Sequence, residues 1–441
     1  MPVHSLATLF GNISSSHLFA GAVTFALIIF VRAWAAGRKC TWERDWKGKM
    51  ILVVAPPTPT TLTLIDTLLH LPSPPQILFL PDIKSPLPDS LLTVLHTIKL
   101  SATTKNPAAQ LHCESLPLTP AGVRDFVVKW NSAPVQMVGE GGRRIDAIIF
   151  GKGWEVDKTN FSSSSPLDSA NEQVMWNNNQ FKFHFLTSLL PSLLKSPAER
   201  DIRIVQLISP TWSSAIPALA ASADERIRRA DLVNITGKRN VESLLCFKHF
   251  QLILDTLEAA QRGKIKPVPN PEKPQENLKI RDKDVKSNVS SVSVIMPWAR
   301  DEVLKGSLVS SSLSMILWMV FHPLILLITP SSRSTVQSIL FALSAPVRHG
   351  DIDETPKVAE QGKEAFEQRR NGVAGGDVVR DCAVVDLPPV LSDPVLAKAV
   401  YEELEKQVEK GVKESQSKAK QQKDEQTKAR VDEKEQIAKA Q

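Results

Sequence analysis

The sequence predicts a doubly wound α/β domain on a parallel sheet, tethered behind a membrane-spanning helix and trailed by a charged helical tail. Three observations predict it. Short apolar runs rich in β-branched residues alternate with segments whose apolar residues recur at helical spacing. Such alternation implies βαβ units, hence a parallel sheet with right-handed crossovers. An apolar stretch of helix length stands near the start, and basic residues follow it at once. From Pro394 onward the chain turns to Lys, Glu and Gln.

The elements follow in order. Met50–Ala55 (MILVVA) reads as a buried strand. Thr60–Leu71 is helical, with Leu62, Ile65, Leu68 and Leu69 on one face. Gln76–Leu80 is a strand, Leu87–Ile98 a helix and Gln110–Cys113 a weak strand. Thr119 is placed to cap a helix over Pro120–Trp130. Ile145–Phe150 is a strand, Gln173–Leu194 a long helix, Ile202–Ile208 a strand, Val241–Gln261 a long helix and Ser291–Met296 a strand. We read residues 49–345 as one Rossmann-type domain with helices on both faces, interrupted by insertions at 154–171, 210–240 and 264–288. The last insertion, rich in Lys and Pro, is expected to be disordered. Residues 346–393 are expected to be an irregular linker.

Residues 394–441 are expected to be a helical or disordered tail. Acid-first pairs such as Glu402–Lys406 and Glu409–Lys413 support a helix. Beyond Lys406 the tail is expected to lack packing. Met315–Ile328 (MILWMVFHPLILLI) is apolar but short for a span. It is either a helix covering a cleft or an interfacial segment that dips into a bilayer.

Residues 1–17 form a polar N-terminal segment, and residues 18–36 the transmembrane anchor. Leu18–Val31 is almost wholly apolar, Arg32 interrupts, and Ala33–Ala36 completes the run. About 20 apolar residues span a bilayer as a helix, so Arg32 must snorkel to the interface. Trp34 suits an interfacial belt, and Arg38, Lys39, Arg44, Lys47 and Lys49 follow. Charge after rather than before the apolar run argues against a secretory signal. It places the body on the cytosolic side of a mitochondrial or endoplasmic reticulum membrane, which the sequence does not separate.

With 441 residues and 42% hydrophobic content, the body can bury a sizeable core. A net charge of +6 fits ordinary surface lysines or an anionic membrane surface, and nothing points to nucleic acid. Cys40, Cys113, Cys246 and Cys382 are scattered, with no CxxC, and read as free thiols. No metal site is expected.

Four local patterns bear on chemistry. The turn after the first strand reads Ala55-Pro56-Pro57-Thr58-Pro59-Thr60-Thr61. Phe150-Gly151-Lys152-Gly153 closes a later strand, and Asn177-Asn178-Asn179 lies at the following helix. Ser209 ends the strand Ile202–Ile208, and Leu244 and Lys248 lie four apart on the next helix. In this order the motifs resemble the short-chain dehydrogenase/reductase superfamily from about Lys49 to Ala345. The stretch Arg380–Lys406 (RDCAVVDLPPVLSDPVLAKAVYEELEK) resembles the ending of a fungal membrane-protein family of unknown function that is similar to those enzymes.

The resemblance implies a glycine-rich dinucleotide turn where this chain has Ala55, Pro59 and Thr61. Each added β-carbon crowds the phosphate path, and each proline removes an N–H. Gly153 matches the last residue of an Asn-Asn-Ala-Gly motif. Asn178 falls on the family's proton-relay asparagine, although the triplet also reads as a helix cap or kink. Ser209 falls on the catalytic serine and Lys248 on the lysine of Tyr-x-x-x-Lys. Leu244 stands where the proton-donating tyrosine belongs. The one tyrosine, Tyr401, lies in the tail, expected to be beyond the domain.

Loss of cofactor turn and proton donor together favours a catalytically degenerate, membrane-anchored scaffold, adaptor or lipid binder, with no cofactor. Its expected partners are membrane lipid and proteins that the sequence does not identify. The alternative is an active NAD(P)-dependent reductase of a lipid carbonyl with an atypical cofactor loop. A third reading makes the charged tail the working part of an interaction protein.

Overall fold

In the computed structural model of the chain the described residues are 15–83, 85–132, 144–152, 176–197, 200–216, 232–264, 287–300, 322–348 and 372–440. Gly153, the insertion 154–171, residues 217–231 and 265–286, and the 315–321 part of the second apolar segment lie outside them. The helices are α1 (Ser15–Ala36), α2 (Pro59–Leu69), α3 (Asp89–Lys105), α4 (Pro120–Asn131), α5 (Asn178–Leu194), α6 (Leu232–Lys264), α7 (Ser332–Ser344) and α8 (Pro394–Ala440). The strands are β1 (Met50–Val54), β2 (Gln76–Leu80), β3 (Gln110–Cys113), β4 (Ala147–Phe150), β5 (Ile202–Ile208), β6 (Val289–Ile295), β7 (Val378–Arg380) and β8 (Ala383–Val384).

One sheet holds all eight strands in the order β3-β2-β1-β4-β5-β6-β7-β8. Every pairing is parallel except β7 with β8. Strands covered on both faces read as continuous apolar runs, and β4, β5 and β6 are buried along their whole length. On one face α2, α3 and α7 close over Ile51, Val53, Ile149, Val205 and Val292. On the other, α4, α5, α6 and α8 close over Leu52, Val54, Ile148, Phe150 and Ile204. This is the predicted Rossmann-like architecture.

Capping fixes several helix starts. The Thr58 hydroxyl accepts from the Thr61 N–H at 3.2 Å and Thr119 from the Gly122 N–H at 3.1 Å, with proline at the first turn of each helix. Asn177 and Gln180 form a reciprocal capping box, so α5 begins at Asn178 and the asparagine triplet is a cap.

Three expectations need correction. The sheet does not end with the strand before residue 345, because β7 and β8 arise within 346–393. A three-residue strand shows no periodicity, yet Val378 and Val379 are buried beside β6. Nor does 210–240 form a uniform polar insertion. Pro210–Ala215 is a 3₁₀ turn, and α6 already runs from Leu232. Finally, the tail is packed beyond Lys406. Leu404 and Val408 are buried, Val412 packs against the same core, and Gly411 lies so close to Trp176 that a β-carbon would stand 2.6 Å from its Cη2. The apolar positions 401, 404, 408 and 412 form a helical stripe hidden among charges.

The path from α1 into the sheet sets the orientation. Gly37, at φ +67°, ends α1 in the left-handed conformation and returns its N–H to the Trp34 carbonyl. The chain then runs beside α7. The Cys40 N–H donates to the Gln337 amide at 3.1 Å, and further on Arg44 reaches the Leu343 carbonyl at 3.1 Å. It enters β1 from the N-terminal edge of the sheet. There a buried ionic cluster joins the layers. Asp146, fully buried, accepts from the Met50 N–H at 2.8 Å and pairs with Arg200. Arg203, also buried, bonds Asp201 and the carbonyls of Ala342 and Ala345. Arg44 bonds Asp201 and stacks over Trp46.

Candidate functional site

At the C-terminal edge of the sheet, the turn from β1 to α2 stands where the resemblance places a dinucleotide pyrophosphate. Three of its N–H donors are committed internally. Pro56, Pro57 and Pro59 have no N–H. The Ala55 N–H goes to the Leu80 carbonyl, the Thr58 N–H to Pro56 and the Thr61 N–H to the Thr58 hydroxyl. The Thr58 and Thr61 hydroxyls bond each other at 2.9 Å. Across from the turn, Gly151 meets Ala55 so closely that a β-carbon on it would lie 2.2 Å from the Ala55 β-carbon. The cavity between Thr58, Thr61, Gly151, Lys152 and Met296 is about 10 Å³, room for about one water. As it stands, this turn does not fit a pyrophosphate. Pro59 supplies the first turn of α2 and Ala55 fills the approach from β4.

Of the residues expected around a reacting carbonyl, Ser209 follows β5, Leu244 and Lys248 lie on α6, and Asn178 opens α5. Ser209 is buried at the end of β5, and its N–H donates to the Asn240 side chain at 3.2 Å. Asn240 in turn bonds the Thr236 carbonyl and the Thr211 hydroxyl, which ties α6 to the 3₁₀ turn. Leu244 is fully buried, packed with Ile208, Ile295 and Val378 and lined by Trp212 and Leu387. An apolar cluster therefore fills the position where the resemblance places a proton-donating tyrosine. One helical turn on, Lys248 donates to the Leu391 carbonyl at 3.3 Å. Burial lowers its pKa from the ordinary lysine value, against the opposing pull of Asp377. Leu391 itself is buried against Ala215, Val241, Leu245 and Ala397. The stretch Leu387–Leu391 thus covers the side of α6 that carries Leu244 and Lys248, a cover the sequence did not announce.

Asn178 is the first residue of α5, with its buried Oδ1 without a hydrogen-bond partner among the described residues. The neighbouring Asn179 donates instead to the Arg239 carbonyl at 2.9 Å. Close by, burial raises the Glu242 pKa, opposed by Lys238, Arg239 and the Asn179 amide.

Tyr401 is not remote from the domain, contrary to expectation. It docks with α8 between Phe183 and His249, with ring centroids 4.9 and 5.0 Å away. Burial pushes its hydroxyl up to about 12, so it is a packing residue in this arrangement. His184, against Trp176, and His249 both bury an Nδ1 without a partner among the described residues. Burial lowers the pKa of each ring.

A larger cavity, about 360 Å³, opens near the N-terminal edge between Trp42, Trp46, Leu71 and Leu340. Its cation, Arg44, is already bonded to Asp201 and Leu343. Among the described residues no group of three or more His, Cys, Asp or Glu side chains is placed to hold a metal ion.

No family model matches the chain, and no curated protein is similar to it. Solved structures similar to it are short-chain dehydrogenases/reductases. One from Serratia marcescens is 10% identical, covering 69% of this chain and 93% of its own, with a TM-score of 0.36. The citronellol catabolism dehydrogenase of Pseudomonas aeruginosa is 11% identical over 78% of this chain and 97% of its own, at a TM-score of 0.37. A short-chain dehydrogenase from Brucella melitensis is 10% identical over 77% and 97%, at 0.34.

Proposed function

We propose that this is a membrane-anchored, catalytically degenerate protein of short-chain-dehydrogenase-like fold, acting as a scaffold or adaptor at a membrane. The observation that carries the reading is the state of the cleft. On the cofactor side, the N–H groups of Ala55, Thr58 and Thr61 are committed within the chain, and about 10 Å³ remains. On the proton-transfer side, Leu244 is sealed among strand ends and Lys248 is turned to the Leu391 carbonyl. A reductase needs a dinucleotide and an acid at one carbonyl, and this arrangement supports neither. The anchor rests on Phe19–Ala36, the one helix among the described residues long and apolar enough to cross a bilayer, with none of it buried in the body. We place the body in the cytosol, on a mitochondrial or endoplasmic reticulum membrane, from the basic residues that follow the apolar run.

The test is a carbonyl-reduction screen with NADH and NADPH on the full chain in detergent, alongside Leu244→Tyr and Lys248→Met. We expect no turnover above background in any of the three. Turnover by the unaltered chain that disappears in Lys248→Met would establish the reductase reading instead. Turnover gained only by Leu244→Tyr would show a cleft that still binds dinucleotide and lacks only its acid.

A further inference from the structure

Arg32, in the last turn of α1, donates its Nη1 to the Leu326 carbonyl at 2.7 Å. Leu326 belongs to the helical residues 322–328, whose last carbonyls have no partner inside their own helix. Arg300 donates to the same carbonyl at 2.8 Å and to Thr329 at 3.4 Å, and its N–H bonds Pro330 at 2.9 Å. Two guanidinium groups thus meet at one helix C-terminus, where the helix dipole favours positive charge. One of the two comes from the apolar helix. The pairing ties the end of α1 to the segment 322–328.

That junction lies at the C-terminal edge of the sheet. Arg300 follows β6, and α7 starts beside it and ends at the opposite edge, where Ala345 meets Arg203 near the start of β5. A bilayer holding α1 therefore approaches the sheet from its C-terminal edge. On the same side, Leu324 and Ile328, four residues apart on one helical face, are 48% and 46% exposed. Trp298, in the loop leaving β6, and Trp34, in the last turn of α1, are exposed as well. The side chains of Arg38, Lys39 and Arg333, flanking these segments in the chain, are exposed and basic. Single exposed apolar residues are ordinary on any protein. Leu324 and Ile328 differ because the Arg32–Leu326 hydrogen bond joins their helix to α1, so one lipid surface can cover both.

We infer that residues 322–328 dock on the bilayer interface beside α1, as a second and monotopic contact that holds the C-terminal edge of the sheet toward the membrane. Leu324 and Ile328 enter the acyl boundary, the tryptophans sit at headgroup depth, and the flanking arginines and lysine face anionic headgroups. The inference deepens the anchor reading and rests on it.

Photocrosslinking separates the two. The full chain is reconstituted in vesicles of phosphatidylcholine and phosphatidylserine, with a diazirine side chain introduced in turn at Phe25, Leu324, Ile328 or Val128. Val128 is the control, exposed on α4 away from this edge. Illumination is followed by mass measurement of lipid adducts. The expected result is adducts at 25, 324 and 328, each about tenfold above those at 128, as insertion into the acyl boundary requires. Adducts at 25 with 324 and 328 no higher than 128 would leave the anchor standing and overturn the second contact. Absence of adducts at 25 would overturn the anchor and this inference together.

Discussion

Gly151 shows how one residue can decide a site. Its lack of a side chain lets the end of β4 lie against Ala55, at the turn where the resemblance places a pyrophosphate. Gly151→Ala places a β-carbon 2.2 Å from that of Ala55. We expect an overpacking loss of about 1–3 kcal/mol, read as a lower denaturation midpoint of the full chain. An unchanged midpoint would mean that the two turns are not in contact. Asp146 carries the opposite edge of the sheet, fully buried beneath Arg200 and the Met50 N–H. Asp146→Ala leaves that N–H and part of a guanidinium without a partner. The expected loss is about 3–5 kcal/mol, larger than for any exposed ion pair of the chain. Denaturant titration checks it, and a loss near that of a surface pair would contradict it. Neither role was legible beforehand. Gly151 and Ala55 are far apart in the chain, and which acidic residue meets which arginine depends on the packing of α7 over β5.

Among the elements, α8 departs most from expectation. Its charges dominate the sequence and hide the stripe through Tyr401, Leu404, Val408 and Val412 that packs on α5 and α6. Beside it, His184 and His249 are held neutral by burial, with Tyr401, Lys398 and Glu402 the titratable groups around His249. Undocked, each ring takes up a proton near pH 6.5, and docked it does so at lower pH. Between those values the undocked state binds more protons, so acid favours undocking. Docking is at full strength above pH 6.5 and weakens as pH falls below it. Amide hydrogen exchange in residues 394–412 should accelerate relative to β5, beyond the intrinsic pH effect, between pH 7.5 and 5.5. Equal protection at both would contradict the account. The strands were the most legible elements, since burial on both faces leaves a continuous apolar run in β1, β5 and β6. β7 was missed because three residues carry no pattern, and its burial comes from a partner strand far earlier in the chain.

For the whole molecule, the alternation of apolar runs and helical segments was enough to predict the parallel sheet, because each pattern is local. The apolar helix α1 was legible for the same reason. What closes the cleft was legible only in part. The prolines of the Ala55–Thr61 turn and Leu244 were visible as departures from the motifs that the sequence resembles. The cover formed by Leu387–Leu391, and the sharing of Thr58 between cap and turn, arise from the folded arrangement. The measurement closest to the central claim is a calorimetric titration of NADH and NADPH into the full chain in detergent. The account predicts no heat of binding up to millimolar dinucleotide, because the turn has too few free donors and too little space for a pyrophosphate. Saturable binding at micromolar concentration, abolished by a bulkier side chain at Gly151, would contradict it.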